Sequence, residues 1–309
     1  MVQTLNARYL EGAAFGLAAV AIWASWSAVT RLAVTTNLDA WDIAALRFGI
    51  AGLLLAPVVV RRGLAIDRLG WTGLAIVVAG GGAPYALAAA AGLRFAPAHD
   101  QGALNPGFMP LFVALLAATA LGERISVQQK IGLMLILAGA VLLVGSHATV
   151  SDADWRTSRS IGHALFLVAA FLWACFTVII RRAQLDPLHA TALVATGSLI
   201  LFLPLYLALR GARIALVPIG ELALQAVFQG VLVTIVSLVL YGRSVAMLGA
   251  TAAAAFGALV PALTALIAIP LLDETPDGSD WLAIALVSVG VYLASGGPTG
   301  HRRRNDRLS

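Results

Sequence analysis

One long pattern of this chain occurs twice. The stretch 91–145 contains an apolar run, a proline, an acidic end, a second apolar run and two glycines, and 241–296 repeats that order. At a shift of about 150 residues the matched landmarks are Pro110 with Pro261, Glu123 with Glu274, Gly139 with Gly290 and Gly145 with Gly296. Further upstream, Gly12, Trp23, Ala24 and Arg31 match Gly162, Trp173, Ala174 and Arg181. A repeat of this length in an apolar chain predicts a duplicated membrane bundle.

The composition indicates that the chain is surrounded mostly by lipid. It is 60% hydrophobic and 11% charged, whereas about a quarter of the residues of a soluble domain are charged. The sparse charges separate ten apolar windows, which are 12–30, 43–60, 69–93, 101–122, 131–151, 160–180, 187–209, 222–242, 244–272 and 281–301. Nearly all of them supply the roughly 20 residues that a bilayer core requires. We therefore expect an all-α polytopic membrane protein with ten transmembrane helices, five per repeat.

The repeat predicts the organisation of the chain and its topology. We expect a first five-helix unit at 1–148, a linker at 149–159, a second unit at 160–298 and a basic cytoplasmic tail at 299–309. With the N-terminus inside, the inner segments hold 13 basic residues and the outer segments six, which predicts that both termini are cytoplasmic. Five helices are an odd number, so the second repeat is inverted. We expect Arg47, in the second window, to extend to the outer interface.

Several chemistries find no support in the sequence. The single cysteine, Cys175, excludes an internal disulfide, and no zinc or iron–sulfur spacing is present. No Walker motif supplies a site for ATP. The basic residues lie in short loops and a tail, where they indicate topology. We therefore expect no metal, no cofactor and no nucleic-acid partner.

The residues around the two acids resemble the drug/metabolite transporter superfamily, specifically its EamA type. The resemblance is carried by ATALGERISVQQKIGLMLILAGAVLLV after the fourth window and its degenerate copy IPLLDETPDGSDWLAIALVSVGVYLAS, which reads LDE in place of LGE. It covers roughly residues 12–297 and implies ten helices in two inverted halves. It also implies transport of small metabolites, many of them outward, without specifying the substrate.

Glu123 and Glu274 are the acids of this motif, and each lies just before a predicted helix. A carboxylate at a helix N-terminus is stabilised by the helix dipole and by unpaired N–H groups. We therefore expect both to cap the helices that follow them, with a gating role as the alternative.

The start of the fourth window contains the most concentrated polar group. His99, Asp100, Gln101 and Asn105 lie there in an otherwise apolar run, and the matching positions of the second repeat carry no charge. Polar groups at membrane depth usually face a cavity. The alternative for His99 and Asp100 is a position in the outer headgroups, whereas Asn105 lies deeper and is expected to face the cavity.

Other residues are candidates for the cavity wall and for helix breaks. Trp23 and Trp173 match between the repeats at mid-bilayer depth, where each either lines the cavity or packs. Glu221, Gln225 and Gln229 form one polar stripe that faces the cavity or another helix. Breaks near a midplane binding site, with Tyr85 beside them, are expected from Gly80, Gly81, Gly82, Pro84, Pro106, Pro110 and Pro261.

Together these features predict a secondary active transporter of the inner membrane. It would export a small metabolite, such as an amino acid or a related compound, by alternating access between the repeats. A channel or facilitator and a non-transporting membrane protein are the alternatives, whereas no DDxxD or HExxH motif supports an enzyme. The expected partners are the substrate, the lipid bilayer and protons. Asp100 is the coupling candidate, because it is an acid near a helix interior on the outer side beside a histidine, a side chain that titrates near neutral pH.

Overall fold

The computed structural model describes residues 2–146, 152–211 and 213–296, and every regular element in these ranges is helical. The helices are α1 (Val2–Val34), α2 (Ala40–Arg62), α3 (Ile66–Gly81), α4 (Ala83–Phe95), α5 (Ala98–Leu121), α6 (Val127–Gly145), α7 (Ala153–Arg182), α8 (Pro187–Arg210), α9 (Ile219–Gln225), α10 (Ser237–Leu248), α11 (Ala250–Phe256), α12 (Val260–Leu272) and α13 (Gly278–Ala294). Short 3₁₀ turns lie at Arg213–Leu216 and Gly257–Leu259, and a π-helix at Ala226–Val236 joins α9 to α10.

The described helices form ten successive spans, as the sequence predicts. Nine segments are long and apolar enough to cross a membrane, and α13 is a shorter apolar helix. Helices α3 and α4 share one span, Ile66–Phe95, and α9, the π-helix and α10 share another, Ile219–Leu248. The chain is therefore an all-α, multi-pass membrane protein.

The first helices of the two repeats run in opposite directions. Near the C-terminal end of α1, Arg31 donates hydrogen bonds to the carbonyls of Leu93 and Ala96, just before α5 begins. Near the N-terminal end of α7, Arg159 binds Asp100 in the first turn of α5. The end of α1 and the start of α7 therefore lie at the same end of the bundle, as inverted repeats require. We call this the outer end, following the predicted topology, and the opposite end the inner end.

The predicted linker 149–159 is wrong in its second part. Helix α7 begins at Ala153, because the Asp152 side chain accepts hydrogen bonds from the backbone N–H groups of Asp154 and Trp155, both at 3.0 Å. An aspartate in this position is a favourable N-cap. Residues 149–151 and the basic tail 299–309 lie outside the described residues. The early start of α7 gives Arg159 a fixed position on a helix.

The third span breaks at Gly82, between α3 and α4, and Pro84 lies in the first turn of α4. The backbone N–H of Ala83, freed by the break, donates to the Ser198 hydroxyl of α8 at 3.1 Å. A Cβ atom at position 82 would lie 2.1 Å from the Val78 carbonyl oxygen, so the break requires glycine.

The other predicted breaks have different outcomes. Helix α5 is continuous through Pro106 and Pro110, so the interruption expected there is wrong. Each proline removes a single N–H donor, and membrane helices adjust locally to that loss. Pro261 lies at the start of α12, directly after a 3₁₀ turn. The matched prolines Pro110 and Pro261 therefore lie in different local structures, which makes the two repeats unequal.

The last helices of the two repeats, α6 and α13, pack through glycine. A Cβ atom on Gly132 would lie 2.6 Å from the Gly290 carbonyl oxygen, and one on Gly290 would lie 2.7 Å from the Gly132 carbonyl oxygen. Such close backbone approach is typical of small-residue interfaces between membrane helices. This contact joins the two repeats away from the polar residues described next.

Candidate functional site

Asp100 lies at the centre of a buried charged cluster at the outer end. Its two carboxylate oxygens accept hydrogen bonds from Nε and Nη2 of Arg159, at 2.6 and 2.7 Å. The Nε2 atom of His163 lies 2.8 Å from Oδ2 of the same carboxylate. A bidentate arginine–carboxylate pair is among the strongest charge-assisted contacts in proteins. Since Asp100 belongs to the first repeat and Arg159 to the second, this contact joins the repeats.

His99 and Asp280 complete the outer cluster, which we define as His99, Asp100, Arg159, His163 and Asp280. Nε2 of His99 lies 3.3 Å from Oδ1 of Asp100 and 3.5 Å from Oδ2 of Asp280, and Arg159 approaches Asp280 at 3.7 Å. All five residues are buried. The headgroup alternative for His99 and Asp100 is therefore wrong, because neighbouring helices cover both side chains.

Three members of the outer cluster have donor atoms that could serve a metal ion. Atoms of His99, Asp100 and Asp280 lie within 4.8 Å of one another. Both oxygens of Asp100 are already bound by the Arg159 guanidinium, whose positive charge opposes a second cation at this distance. The chemistry of the donor set therefore fits a buried ion pair better than a metal centre.

The first turns of α7 position two members of the cluster, and a recess lies beside them. Arg159 and His163 are four residues apart, so they share a helix face that is directed at α5. A recess of about 450 Å³ lies against this part of α7 and is lined by both side chains, together with Trp155 and Ser160. The recess therefore lies beside two of the residues that bind Asp100.

The two motif acids join the repeats and do not cap their own helices, which corrects the prediction. Helix α6 is capped by Ser126 and α13 by Asp277, each through a capping box. Glu274 instead accepts hydrogen bonds from Arg31 of α1 and, at 2.8 Å, from the backbone N–H of Ala98 at the start of α5. Glu274 therefore lies at a helix N-terminus, where an acid is favourable, but the helix is α5 of the other repeat.

Glu123 makes the corresponding contact at the inner end, where Arg181 of α7 donates to it at 2.8 Å. Arg181 matches Arg31 and Glu123 matches Glu274 in the repeat, so the two ion pairs are related by the internal symmetry. They differ in burial, because the Arg31 and Glu274 side chains are 20% and 15% exposed, whereas Arg181 and Glu123 are each 47% exposed. In this conformation the outer end is the more tightly closed.

A second polar group lies between α1 and the π-helix. Gln229 accepts a hydrogen bond from the Trp26 indole at 2.8 Å and donates to Thr30 at 3.0 Å and to Gln225 at 3.1 Å. Gln225 also donates to the Val29 carbonyl oxygen at 3.3 Å. The expectation that Gln225 and Gln229 line a cavity is therefore wrong for this conformation, since α1 occupies their polar atoms. Glu221, at the outer end of the same stripe, accepts from Asn37 at 2.8 Å.

Trp23 and Gln101 are also bound across helices. The Trp23 indole donates to Ser237 at 2.9 Å, and its ring lies 5.2 Å from that of Tyr241. Gln101 accepts a hydrogen bond from the Ser27 hydroxyl. Both residues thus tie α1 to its neighbours in the closed arrangement.

A third polar group lies where α2, α4 and α5 meet, and it consists of Arg47, Tyr85 and Asn105. The Tyr85 hydroxyl interacts with both of the other side chains. Its ring packs 5.0 Å from that of Trp173 of the second repeat. Arg47 is only 9% exposed, so the expectation that it extends to the outer interface is wrong, because its side chain is directed into the bundle.

Sequence reasoning missed Arg47, Arg159, His163 and Asp280 as site residues. Arg159 and His163 offered a usable signal, since they are four residues apart at the start of an apolar window. Arg159 was placed in a linker, and Asp280 resembled one of several ordinary turn acids. Their grouping depends on contacts between helices, which sequence spacing does not contain.

Comparison with known proteins identifies relatives along the whole bundle. The EamA-like transporter family model matches residues 10–145 and 160–296, so each repeat is matched separately. A "probable terminal-alkyne amino-acid exporter" of Streptantibioticus cattleyicolor is 27% identical over 92% of this chain and 96% of its own length. A "probable amino-acid metabolite efflux pump" of Escherichia coli is 27% identical over 59% of this chain and 62% of its own length. An "uncharacterized transporter" of Archaeoglobus fulgidus is 27% identical over 89% of this chain and 93% of its own length.

The fold is also similar to that of a solved protein. A chain titled "crystal structure of protein" superposes with a TM-score of 0.58 and 23% sequence identity, covering 92% of this chain and 96% of its own. This similarity supports the architecture of the bundle.

Proposed function

The chain belongs to the EamA-like transporter family, and we propose that it is a secondary active transporter that exports a small metabolite across the cytoplasmic membrane. An amino acid or a related compound is the proposed substrate, and alternating access between the two inverted repeats is the proposed mechanism. Relatives named as an amino-acid exporter and as an amino-acid metabolite efflux pump support the substrate class and the direction. The observation that carries the mechanism is the buried ion-paired contact between Asp100 and Arg159, which joins the repeats at the outer end.

The contacts of Arg159 and His163 stabilise the charged form of Asp100, so a proton that binds Asp100 has to break them, and breaking them is the proposed opening step. Protonation of Asp100 removes the negative charge that holds Arg159 and His163, with His99 and Asp280 as the other titratable neighbours. Releasing this contact lets the outer ends of α5 and α7 separate. The repeat positions that match His99 and Asp100 are Ala250 and Thr251, which carry no charge. Among the described residues we therefore place a gate of this kind at the outer end, where it would couple outward opening to the external proton.

Flux measured in proteoliposomes tests both the transport and the coupling. With the common L-amino acids as labelled probes, we expect counterflow by the parent protein and flux that responds to an imposed pH gradient. Asp100→Asn is expected to lose the response to the gradient while it still exchanges substrate. Asp154→Asn, which changes an exposed acid at the start of the same α7, is the matched control and should behave as the parent.

Three outcomes would count against these proposals. Linear, non-saturating flux without counterflow favours a channel over a carrier. A parent protein that exchanges substrate without any dependence on pH is a facilitator or exchanger. Proton-driven flux that survives in Asp100→Asn removes Asp100 as the coupling residue, whatever the substrate.

The topology is a separate prediction. Because basic residues favour the inner segments by 13 to six, we propose that both termini are cytoplasmic. A fluorescent reporter fused after Ser309 should therefore be bright, and a phosphatase that works only outside the cytoplasm should be inactive there. The same pair of reporters placed in the turn after α1 should give the reverse result. An active phosphatase after Ser309 would exchange every inner and outer label.

A further inference from the structure

Arg47 is a buried cation with an unused hydrogen-bond donor. Its Nε atom has no hydrogen-bond partner, and none of the ion pairs among the described residues includes it. Its guanidinium lies 5.5 Å from the centre of the Phe48 ring, and the nearby polar side chain is the neutral Tyr85. Asp42, five residues earlier on α2, is engaged by the Tyr206 hydroxyl at 2.7 Å. Buried arginines are normally paired, so an unpaired one points to an anionic group that is supplied from outside the chain.

Asn105 has the complementary unused atom. Its side chain is 1% exposed, and its Oδ1 atom has no hydrogen-bond partner in the part of the chain that the structure describes. Like Arg47, it interacts with the Tyr85 hydroxyl, so the unused donor and the unused acceptor are both neighbours of one phenol. An amide oxygen accepts hydrogen bonds from N–H groups and suits an ammonium ion.

Aromatic rings complete the surroundings of these atoms. The Tyr85 ring lies 5.0 Å from that of Trp173, which in turn lies 5.1 Å from that of Phe176. Aromatic faces attract ammonium groups and bury apolar side chains. The group therefore combines a site for a carboxylate, a site for an ammonium ion and an apolar wall, and residues from both repeats contribute to it.

We propose that Arg47 and Asn105 bind the carboxylate and the amino group of a free amino acid, with Tyr85 between them and Trp173 as the wall. This inference rests on the proposed transport function and assigns its substrate site. The Arg47 guanidinium donates to the carboxylate, and the Asn105 side-chain oxygen accepts from the ammonium group. Substrates that lack either charged group leave a buried polar atom without a partner, so they bind weakly.

Thermal stabilisation of the purified, full-length protein tests the site. We expect at least one common L-amino acid to stabilise the parent protein, and its methyl ester and its decarboxylated amine to bind about ten to a hundred times more weakly. An ester or an amine that binds as tightly as the amino acid would overturn the proposal. The absence of stabilisation by every common L-amino acid would overturn it as well.

Substitutions separate recognition from folding. Arg47→Met should raise the melting temperature of the ligand-free protein by several degrees, because it removes an unpaired buried charge, and should weaken amino-acid binding about tenfold or more. Arg47→Lys keeps the charge without the planar fork and should bind at an intermediate level. Arg68→Met, the same change at an exposed inner position, is the matched control and should alter neither quantity. The assignment would be contradicted if Arg47→Met bound the amino acid as tightly as the parent protein. If Arg47→Met does not fold, parent-like binding by Arg47→Lys would contradict it instead.

The two proposals fail in different ways. If an amino acid binds and its binding requires Arg47, but the protein shows no counterflow in proteoliposomes, the site is retained and transport is rejected. Counterflow of an amino acid that is unchanged in Arg47→Met and Asn105→Ala would retain transport and reject this site.

Discussion

Replacing Arg159 with Met is expected to lower the free energy of unfolding by about 3–5 kcal/mol, because it leaves a buried carboxylate without its partner. Asp100 is completely buried, and both of its oxygens are bound by Arg159. Among the described residues, His163 and His99 also approach this carboxylate, and neither reproduces the bidentate contact. The substitution also removes a link between the repeats at the outer end.

Unfolding in detergent, followed by melting temperature or by denaturant, measures this effect. Arg156→Met removes an exposed arginine three residues earlier on α7 and should change stability by no more than about 1 kcal/mol. The double variant Asp100→Asn with Arg159→Met removes both charges of this pair and should recover much of the loss, since the Asp100 carboxylate no longer stays buried without its partner. If Arg159→Met is as mild as Arg156→Met, the outer cluster does not hold the closed conformation.

The fold was more predictable than the cluster because it depends on properties that accumulate along the chain. Many positions contribute to each of these signals, which are the apolar windows, the basic residues of the loops and the repeat of Pro110 and Glu123 at Pro261 and Glu274. They specified the helical spans and their membrane setting. Local chemistry located Gly82 as well, since glycines followed by Pro84 weaken a helix wherever they occur.

The site residues were harder to predict because their roles depend on partners far away in sequence. In the sequence, Arg159 looks like part of a polar linker. In the structure, Asp152 caps α7, and the Arg159 side chain binds Asp100, which is 59 residues away in the chain. Arg47 reads as an arginine that reaches the headgroups, and only the packing around α2 reveals its burial. In the sequence, Gln229 looks like a cavity residue, whereas in the structure its amide group is hydrogen-bonded to Trp26 and Thr30.

The motif acids illustrate the same limit in another way. Glu274 and Glu123 precede helices, so capping was the natural interpretation, but Asp277 and Ser126 take that role three residues later. This leaves both acids available to pair with the arginines at the ends of α1 and α7. The arginine that pairs with each acid belongs to the other repeat. In each repeat the acid of the motif therefore makes a contact with the other repeat. The sequence of one repeat alone does not reveal this contact.

These two ion pairs lead to the second large prediction. Glu274→Gln is expected to cost about 2–3 kcal/mol, because it weakens a partly buried pair with Arg31 and a charge-assisted bond from the N–H of Ala98. Glu123→Gln makes the same chemical change in the symmetry-related and exposed pair with Arg181, and should cost about 0–1 kcal/mol. The internal symmetry of the chain thus supplies a control of identical chemistry.

Double-mutant cycles isolate the two interactions from other effects of the substitutions. One cycle combines Arg31→Met with Glu274→Gln, the other combines Arg181→Met with Glu123→Gln, and unfolding is followed in the same detergent. We expect a clearly larger coupling energy for the outer pair, because burial removes the screening by water that weakens the inner pair. Equal coupling energies would mean that both pairs hold the fold alike. The outer pair would then contribute nothing particular to keeping the outer end closed, and the outer cluster around Asp100 would have to do so alone.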